Sequence, residues 1–146
     1  MLATEISGGN EASSDISRLI QALDALMFAI HSIGPDVPDI EESDLDPPES
    51  DYHQVYETVA HRYPSLGYYW NALQRKIQDG AEGGLAVGDA IDDLADILIA
   101  LREVQWFNEH VGRKDALAAL RARYDMHLWM HIHSLRHYLE ELKRDG

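Results

Sequence analysis

The segment from Gly88 to Glu103 constrains the fold more than any other part of the chain, and it reads G-D-A-I-D-D-L-A-D-I-L-I-A-L-R-E. An α-helix turns by about 100° per residue, so residues three and four positions apart share one side. One side holds Ile91, Leu94, Ala95, Leu98 and Leu101, and the other holds Asp89, Asp92, Asp93, Asp96 and Glu103. The pattern predicts a helix packed in a helical core. It leaves open whether the carboxylates bind a ligand or face water.

Apolar residues recur at helical spacing through most of the chain. We predict five helices: Ser13 or Ser14 to about Ile33, Ser50 or Asp51 to Tyr63, Gly67 or Tyr68 to Gln78, Leu85 to Glu103 with an extension towards His110, and Lys114 or Asp115 to about Lys143. No stretch alternates apolar and polar residues between turn signals, so we predict no sheet. The predicted fold is all-α, a single-domain bundle of about five helices in which the long central and C-terminal helices pack antiparallel.

Two stretches lack the pattern of a regular element. Residues 1–12 are small and mostly polar, with Gly8, Gly9 and Asn10 in succession, and we predict a disordered tail there. Residues 34–50 hold many acids, no base and four prolines, which predicts an exposed acidic loop. Residues 13–146 would then form one helical domain that contains this loop.

The last predicted helix is apolar on two sides. Its main stripe consists of Tyr124, Leu128, Ile132, Leu135 and Leu139, and its second stripe of Met126, Trp129, Met130 and His133. A helix of this kind lies centrally in its bundle or takes part in association. We therefore expect a homodimer through the second stripe.

Aromatic residues are concentrated in the segment Y-P-S-L-G-Y-Y-W, from Tyr63 to Trp70. Clustered aromatic side chains bury a large area, so we predict that this segment fills the core between helices, with a wall for ligand stacking as the alternative. The turn D-G-A-E-G-G at 79–84 lacks the Lys and the Ser or Thr of a phosphate-binding loop. We therefore expect no nucleotide site there.

Charge and cysteine content narrow the range of partners. With 12 basic and 26 acidic residues among 146, the formal charge is −14, and the isoelectric point is near 4.7. Nucleic acid and anionic membranes attract clustered basic residues, so we expect neither as a ligand, and a divalent metal or a basic protein surface fits better. The chain has no cysteine, no basic and apolar leader and no long apolar span, so we expect a cytoplasmic protein.

Histidines on the last helix could join the acidic residues of the central helix in a metal site. His127 and His131 are four residues apart, as are His133 and His137 on another face, and this spacing lets two imidazoles share an ion. The ligands that we predict are Asp92, Asp93, Asp96, His127 and His131. Such a nitrogen and oxygen set suits Zn, Mn, Fe or Mg. The alternative is that the histidine pairs arise by chance and the acids are merely solvated.

The segment D-D-L-A-D-I-L-I-A-L also resembles the E-x-x-D half of the all-α nucleoside triphosphate pyrophosphohydrolases. In that family helical carboxylates hold Mg²⁺ for the pyrophosphate of the substrate, and Asp93 and Asp96 match this half with Asp in place of Glu. The other half, an E-E-x-x-E on the preceding helix, is missing, because the segment from Tyr52 to Tyr63 offers only Glu57. The resemblance implies a metal-dependent hydrolase.

Three further motifs are L-G-Y-Y-W (Leu66 to Trp70), V-G-D-A-I-D-D-L-A-D-I (Val87 to Ile97) and H-L-W-M-H-I-H (His127 to His133). Their order and spacing resemble an uncharacterised bacterial family, the domain of unknown function numbered five thousand and sixty-three, over about Asp51 to Leu139. The family tends to show a His-Trp-Gly run in the third motif, which this chain lacks. The resemblance implies a small helical protein and no established activity.

No complete catalytic set stands out, since there is no G-x-S-x-G and Ser134 lies inside a predicted helix. We therefore expect a non-enzymatic binding or accessory protein whose acidic surface meets a basic partner. The alternative is a metal-dependent hydrolase, similar to the pyrophosphohydrolases, that uses the helical Asp and His residues. No feature of the sequence requires a cofactor other than the proposed divalent metal.

Overall fold

The computed structural model describes residues 2–39, 46–80 and 82–145, with side chains from residue 12 onwards. Over these ranges the chain forms a mostly helical single domain with a small two-stranded hairpin. The elements are α1 (Leu2–His31), α2 (Tyr52–Arg62), β1 (Tyr68–Ala72), β2 (Leu85–Asp89), α3 (Ala90–His110), α4 (Arg113–Arg123) and α5 (Trp129–Asp145). A π-helical turn, Tyr124–Leu128, joins α4 to α5 without a break, so the described chain contains four helical rods.

The C-terminal rod lies at the centre of the core. Leu128, Ile132, Leu135 and Leu139 are each 0% exposed, and they belong to the predicted main stripe. The side chains of Ile91 and Leu94 on α3 and of Ile20 and Leu23 on α1 are buried in the same cluster. Burying large aliphatic side chains is worth about 1.5–3 kcal/mol each, so this stripe supplies much of the stability. The predicted packing of the C-terminal helix against the central helix is confirmed.

Contacts between the two long rods run in opposite order along the chain. His131 lies beside Asp93, Arg123 binds Glu103, and Phe107 packs against Ala116 and Ala119. Residue numbers therefore fall on one rod as they rise on the other. The chain reverses at Val111 and Gly112, where α3 ends and α4 begins.

The prediction of no sheet and of a short helix from Gly67 or Tyr68 to Gln78 is wrong. Strands β1 and β2 pair antiparallel, with Tyr69 opposite Gly88 and Trp70 opposite Val87. Residues alternate between the two faces of this hairpin, but the outward residues are themselves aromatic or aliphatic. Burial alternates although polarity does not, so the usual strand pattern is hidden in the sequence.

The aromatic segment is likewise only partly in the core. Leu66 is buried and Tyr69 is half-buried, whereas Tyr68 is 71% exposed and Trp70 is 74% exposed. The prediction that this segment fills the core is therefore wrong for Tyr68 and Trp70. A strand sends neighbouring side chains in opposite directions, so only alternate residues can reach the core.

The bounds of two helices differ from prediction. The central helix begins at Ala90 rather than Leu85, because Asp89 caps it and residues 85–89 pair with β1. Helix α1 begins at Leu2, ahead of the predicted start at Ser13 or Ser14. Mobility of the 1–12 segment in solution stays a prediction. Residues 40–45 of the predicted 34–50 loop lie outside the described residues, and the rest of that loop contains no helix or strand.

Ion pairs link the outer helices to one another and to the core rod. On α1, Asp24 binds Arg136 of α5 at 2.6 Å, and Asp15 binds Arg62 of α2 at 2.9 Å. These pairs connect α1 to α5 and α2, although exposed pairs add little net stability. Among the described residues, no helix combines the length and the apolar character needed to cross a bilayer.

Candidate metal site

A row of carboxylates follows the first two turns of α3. The side chain of Asp89 accepts hydrogen bonds from the backbone N–H groups of Ile91 (2.9 Å) and Asp92 (3.3 Å), and so caps the helix. Asp92, Asp93 and Asp96 follow at spacings that keep them on neighbouring faces. The row does not lie open to water: Asp93 is 5% exposed, and the other three are half-buried. The alternative of merely solvated acids is therefore wrong for Asp93.

His131 of α5 lies between two of these carboxylates. Its Nδ1 is 2.7 Å from an oxygen of Asp93, and its Nε2 is 3.2 Å from an oxygen of Asp96. Both ring nitrogens can donate to these acceptors only when the imidazole is protonated. The hydrogen bond to Asp93, together with the negative charges of Asp93, Asp96 and Asp92, raises the pKa of His131 above its usual value, even though burial opposes this.

Three tyrosines donate hydrogen bonds to carboxylates of the row. Tyr56 of α2 donates to Asp89 at 2.7 Å, Tyr52 of α2 donates to Asp92, and Tyr69 of β1 donates to Asp93. Burial is the main cause that raises the pKa of the Tyr69 phenol and of the Tyr52 phenol. For Tyr56, the main cause of the raised pKa is its hydrogen bond to Asp89. The phenols therefore stay protonated and act as donors to the carboxylates.

The negative charge of Asp96 is only partly offset by its neighbours. Burial, and then the neighbouring charge of Asp92, raise the pKa of Asp96, while His131 and His127 lower it. Asp96 thus binds a proton more readily than an exposed aspartate. A cation beside it would favour its ionised form.

Asp92, Asp93 and His131 could together hold a metal ion. Each offers one ligand atom, and these three atoms all lie within 4.8 Å of one another. Two carboxylate oxygens and one imidazole nitrogen from two helices are a known kind of ligand set in helical bundles. Three of the five predicted ligands are thus brought together.

The other two predicted ligands lie at the edge of this group. Asp96 contacts the opposite ring nitrogen of His131, and the exposed His127 places its ring centroid 5.8 Å from that of His131, edge to face. The second histidine pair is separate, since His133 contacts Tyr124 and His137 binds Glu141. Neither of them reaches the α3 acids within the described contacts.

Sequence reasoning missed the tyrosines. Tyr52 and Asp92 are separated by 40 residues, Tyr56 and Asp89 by 33, and Tyr69 and Asp93 by 24. No local spacing signals such pairs. One usable signal is that Tyr52 and Tyr56 are four residues apart on one helix and so share a face.

No protein-family model, curated protein or solved structure matches this chain. The resemblance to the bacterial domain of unknown function therefore stays a prediction.

Proposed function

We propose that this protein binds a divalent transition-metal ion through Asp92, Asp93 and His131, with Asp96 and His127 at the edge of the site. The observation that supports this most is the convergence of three ligand atoms within 4.8 Å from α3 and α5. An imidazole in the set favours Zn, Mn or Fe, whereas Mg prefers ligands that are all oxygens. The tyrosines that donate to Asp92 and Asp93 resemble the outer-shell groups that orient metal ligands.

Binding of the ion has to displace a proton. A ring nitrogen of His131 that coordinates a metal cannot also carry hydrogen, while the other nitrogen can still donate to a carboxylate. With Nδ1 coordinating the ion beside Asp93, Nε2 can still donate to Asp96. Since metal ligands must lose their protons, affinity should rise with pH.

A thermal-shift titration tests this proposal. We expect Zn²⁺ or Mn²⁺ to raise the melting temperature in a saturable way, because a ligand that binds the native state and not the unfolded state stabilises the native state. The variants Asp92→Asn and His131→Gln should lose this response. His137→Gln is the matched control, since His137 lies on the same helix, is exposed and pairs with Glu141. An equal response in Asp92→Asn, His131→Gln and the parent chain would exclude this site.

A hydrolase of the pyrophosphohydrolase kind is the narrower version of this proposal. Several metal ions would need a second set of carboxylates facing α3. Among the described residues, α2 offers the phenols of Tyr52 and Tyr56 to the row, while Glu57 is 65% exposed and lies beside His53. These contacts support binding of one cation more than a phosphate clamp. Release of pyrophosphate from nucleoside triphosphates with Mg²⁺ or Mn²⁺, and its loss in Asp93→Asn, would favour the hydrolase.

A second candidate function is binding of a basic partner protein without catalysis. The formal charge of −14 favours it, because an acidic surface speeds encounter with a basic one and repels nucleic acid and anionic lipid. This function does not depend on the metal site. A non-enzymatic accessory protein would need a surface that its partner recognises.

A further inference from the structure

The outer face of the hairpin is apolar and exposed. Antiparallel register places Trp70 opposite Val87 and Ala72 opposite Leu85, so their side chains lie on one face. Trp70 is 74% exposed, Leu85 67% and Val87 62%, and Tyr68 extends the same face at 71%. Single exposed apolar residues are ordinary, but a contiguous group on one face usually marks an interaction site.

The inner face of the hairpin is held firmly against the helices. The ring of Tyr69 stacks on Tyr138 of α5 with a centroid distance of 5.2 Å, and its hydroxyl donates to Asp93. The backbone N–H of Ala90 donates to the carbonyl of Gly67 at 3.1 Å, and the N–H of Gly67 donates to the hydroxyl of Tyr138 at 2.9 Å. The hairpin therefore presents its outer face in a fixed orientation, which reduces the entropy lost on binding.

The apolar face ends at carboxylates. Tyr68 is paired with Asp89 across the strands, and Asp89 continues into the acidic row of α3 with Asp92. The basic residues Arg75 and Lys76 lie in the hairpin loop, at the opposite end of the strands from Asp89. An occupant of this face thus meets aromatic and aliphatic side chains next to negative charge.

This combination of charges selects one kind of occupant. A second copy of a chain with a charge of −14 would bring more acid to the acidic end, and anionic lipid or nucleic acid would be repelled in the same way. A basic segment with bulky apolar side chains matches both parts of the surface. Aromatic residues such as Trp and Tyr commonly supply most of the energy of such contacts.

We propose that the outer face of the β1–β2 hairpin binds a basic segment of a partner protein, whose apolar side chains contact Trp70 and Val87 and whose Lys or Arg side chains lie beside Asp89. This inference rests on the basic-partner function and is independent of the metal site.

Fluorescence of Trp70 tests the inference directly. The chain has three tryptophans, so Trp106→Phe combined with Trp129→Phe leaves Trp70 as the only tryptophan. The probe is a synthetic peptide of alternating Lys and Leu, compared with a Lys and Ser peptide and a Glu and Leu peptide. We expect only the Lys and Leu peptide to shift Trp70 emission to shorter wavelength and to shield it from acrylamide. Calorimetry on the unaltered chain repeats the measurement without the Phe substitutions.

Variants of the unaltered chain locate the binding surface. Val87→Ser should lower the affinity for the Lys and Leu peptide by about tenfold, as expected for removal of a central apolar contact. Met130→Ser is the matched control, because Met130 is an exposed apolar residue on α5, and it should leave the affinity unchanged. Both substitutions are at exposed positions, so the fold should tolerate them.

Three results would overturn the inference. Equal affinity of Val87→Ser and the parent chain would place the peptide elsewhere, and the basic-partner function would survive without this surface. Failure of the Lys and Leu peptide to bind the unaltered chain at low salt would contradict both the hairpin binding surface and the basic-partner function. A shift of Trp70 emission with protein concentration alone, together with a doubled mass, would show that a second copy covers the face.

Discussion

At the scale of single residues, His131 sets the charge balance of the site. It lies between Asp93 and Asp96, and Asp93 is 5% exposed. A carboxylate as buried as Asp93 is costly to keep ionised unless it is paired and hydrogen-bonded. The protonated imidazole and the phenol of Tyr69 together meet that requirement.

Substitution of His131 should change stability in a pH-dependent way. The pKa of His131 is raised in the folded state above about 6.5, its ordinary value. Its stabilising contribution is therefore complete below about pH 6.5 and declines as pH rises through the folded-state pKa. We expect His131→Gln to cost about 1–3 kcal/mol near pH 6, with a smaller cost at high pH. Urea unfolding of both proteins between pH 5 and 9 measures the difference.

The exposed His137 provides the control for this experiment. His137→Gln removes an imidazole from the same helix without touching the α3 acids, so its curve should run parallel to that of the parent chain. A proton NMR titration of His131 measures the folded-state pKa independently. A cost of His131→Gln that stayed constant from pH 5 to 9 would contradict the assigned ion pairs.

At the scale of elements, the hairpin depends on a glycine facing an aromatic ring. Gly88 lies opposite Tyr69, and a Cβ atom built at residue 88 would overlap the Tyr69 ring. We expect Gly88→Ala to destabilise the fold by about 1–3 kcal/mol, the usual cost of overpacking, and to displace the phenol from Asp93. Urea unfolding measures the first effect, and a changed pKa of His131 reports the second.

Gly83 offers a matched control in the loop between the strands. A Cβ atom built there meets no atom within 4 Å, so Gly83→Ala should leave the free energy of unfolding nearly unchanged. Equal stability of the Gly88→Ala and Gly83→Ala proteins would show that the ring of Tyr69 does not lie on Gly88 in solution.

Elements also differ in how far the sequence reveals them. The positions of Leu94 on α3 and of Leu128 and Leu135 on the C-terminal rod follow from apolar spacing, because one buried side of a helix leaves a clear period. The hairpin does not follow, since Trp70 and Val87 are exposed yet apolar. The π-helical turn at 124–128 shifts the helical register between α4 and α5, and no feature of the amino-acid composition there signals it.

The candidate site shows the same division. The convergence of Asp92, Asp93 and His131 could be predicted, because each lies on a face that its own helix period defines. The closing partners could not, since the phenols of Tyr52 and Tyr69 arrive from elements distant in sequence. Long-range contacts of this kind depend on how elements pack, which local periodicity does not encode.

At the scale of the whole molecule, net charge and exposed apolar surface have opposite effects on self-association. Met126 is 77% exposed, Trp129 46% and Met130 48%, and His133 is exposed beside them on the C-terminal rod. We propose that this group forms the predicted homodimer interface. Because each copy carries a charge of −14, electrostatic repulsion opposes association of two copies. Salt screens this repulsion, since the charges interact through solvent.

The dimer should therefore strengthen with salt, unlike binding of a basic partner, which should weaken. The screening length falls from about 10 Å at 0.1 M salt to about 3 Å at 1 M, while apolar contacts persist. We expect light scattering to give a mass near 16.5 kDa at low salt and to approach twice that at high salt and high protein concentration. Met130→Lys should keep the monomer mass throughout, whereas Val87→Ser on the hairpin should dimerise like the parent chain. A monomer mass under all conditions would exclude the dimer and would leave Met126, Trp129 and Met130 as exposed surface without this role.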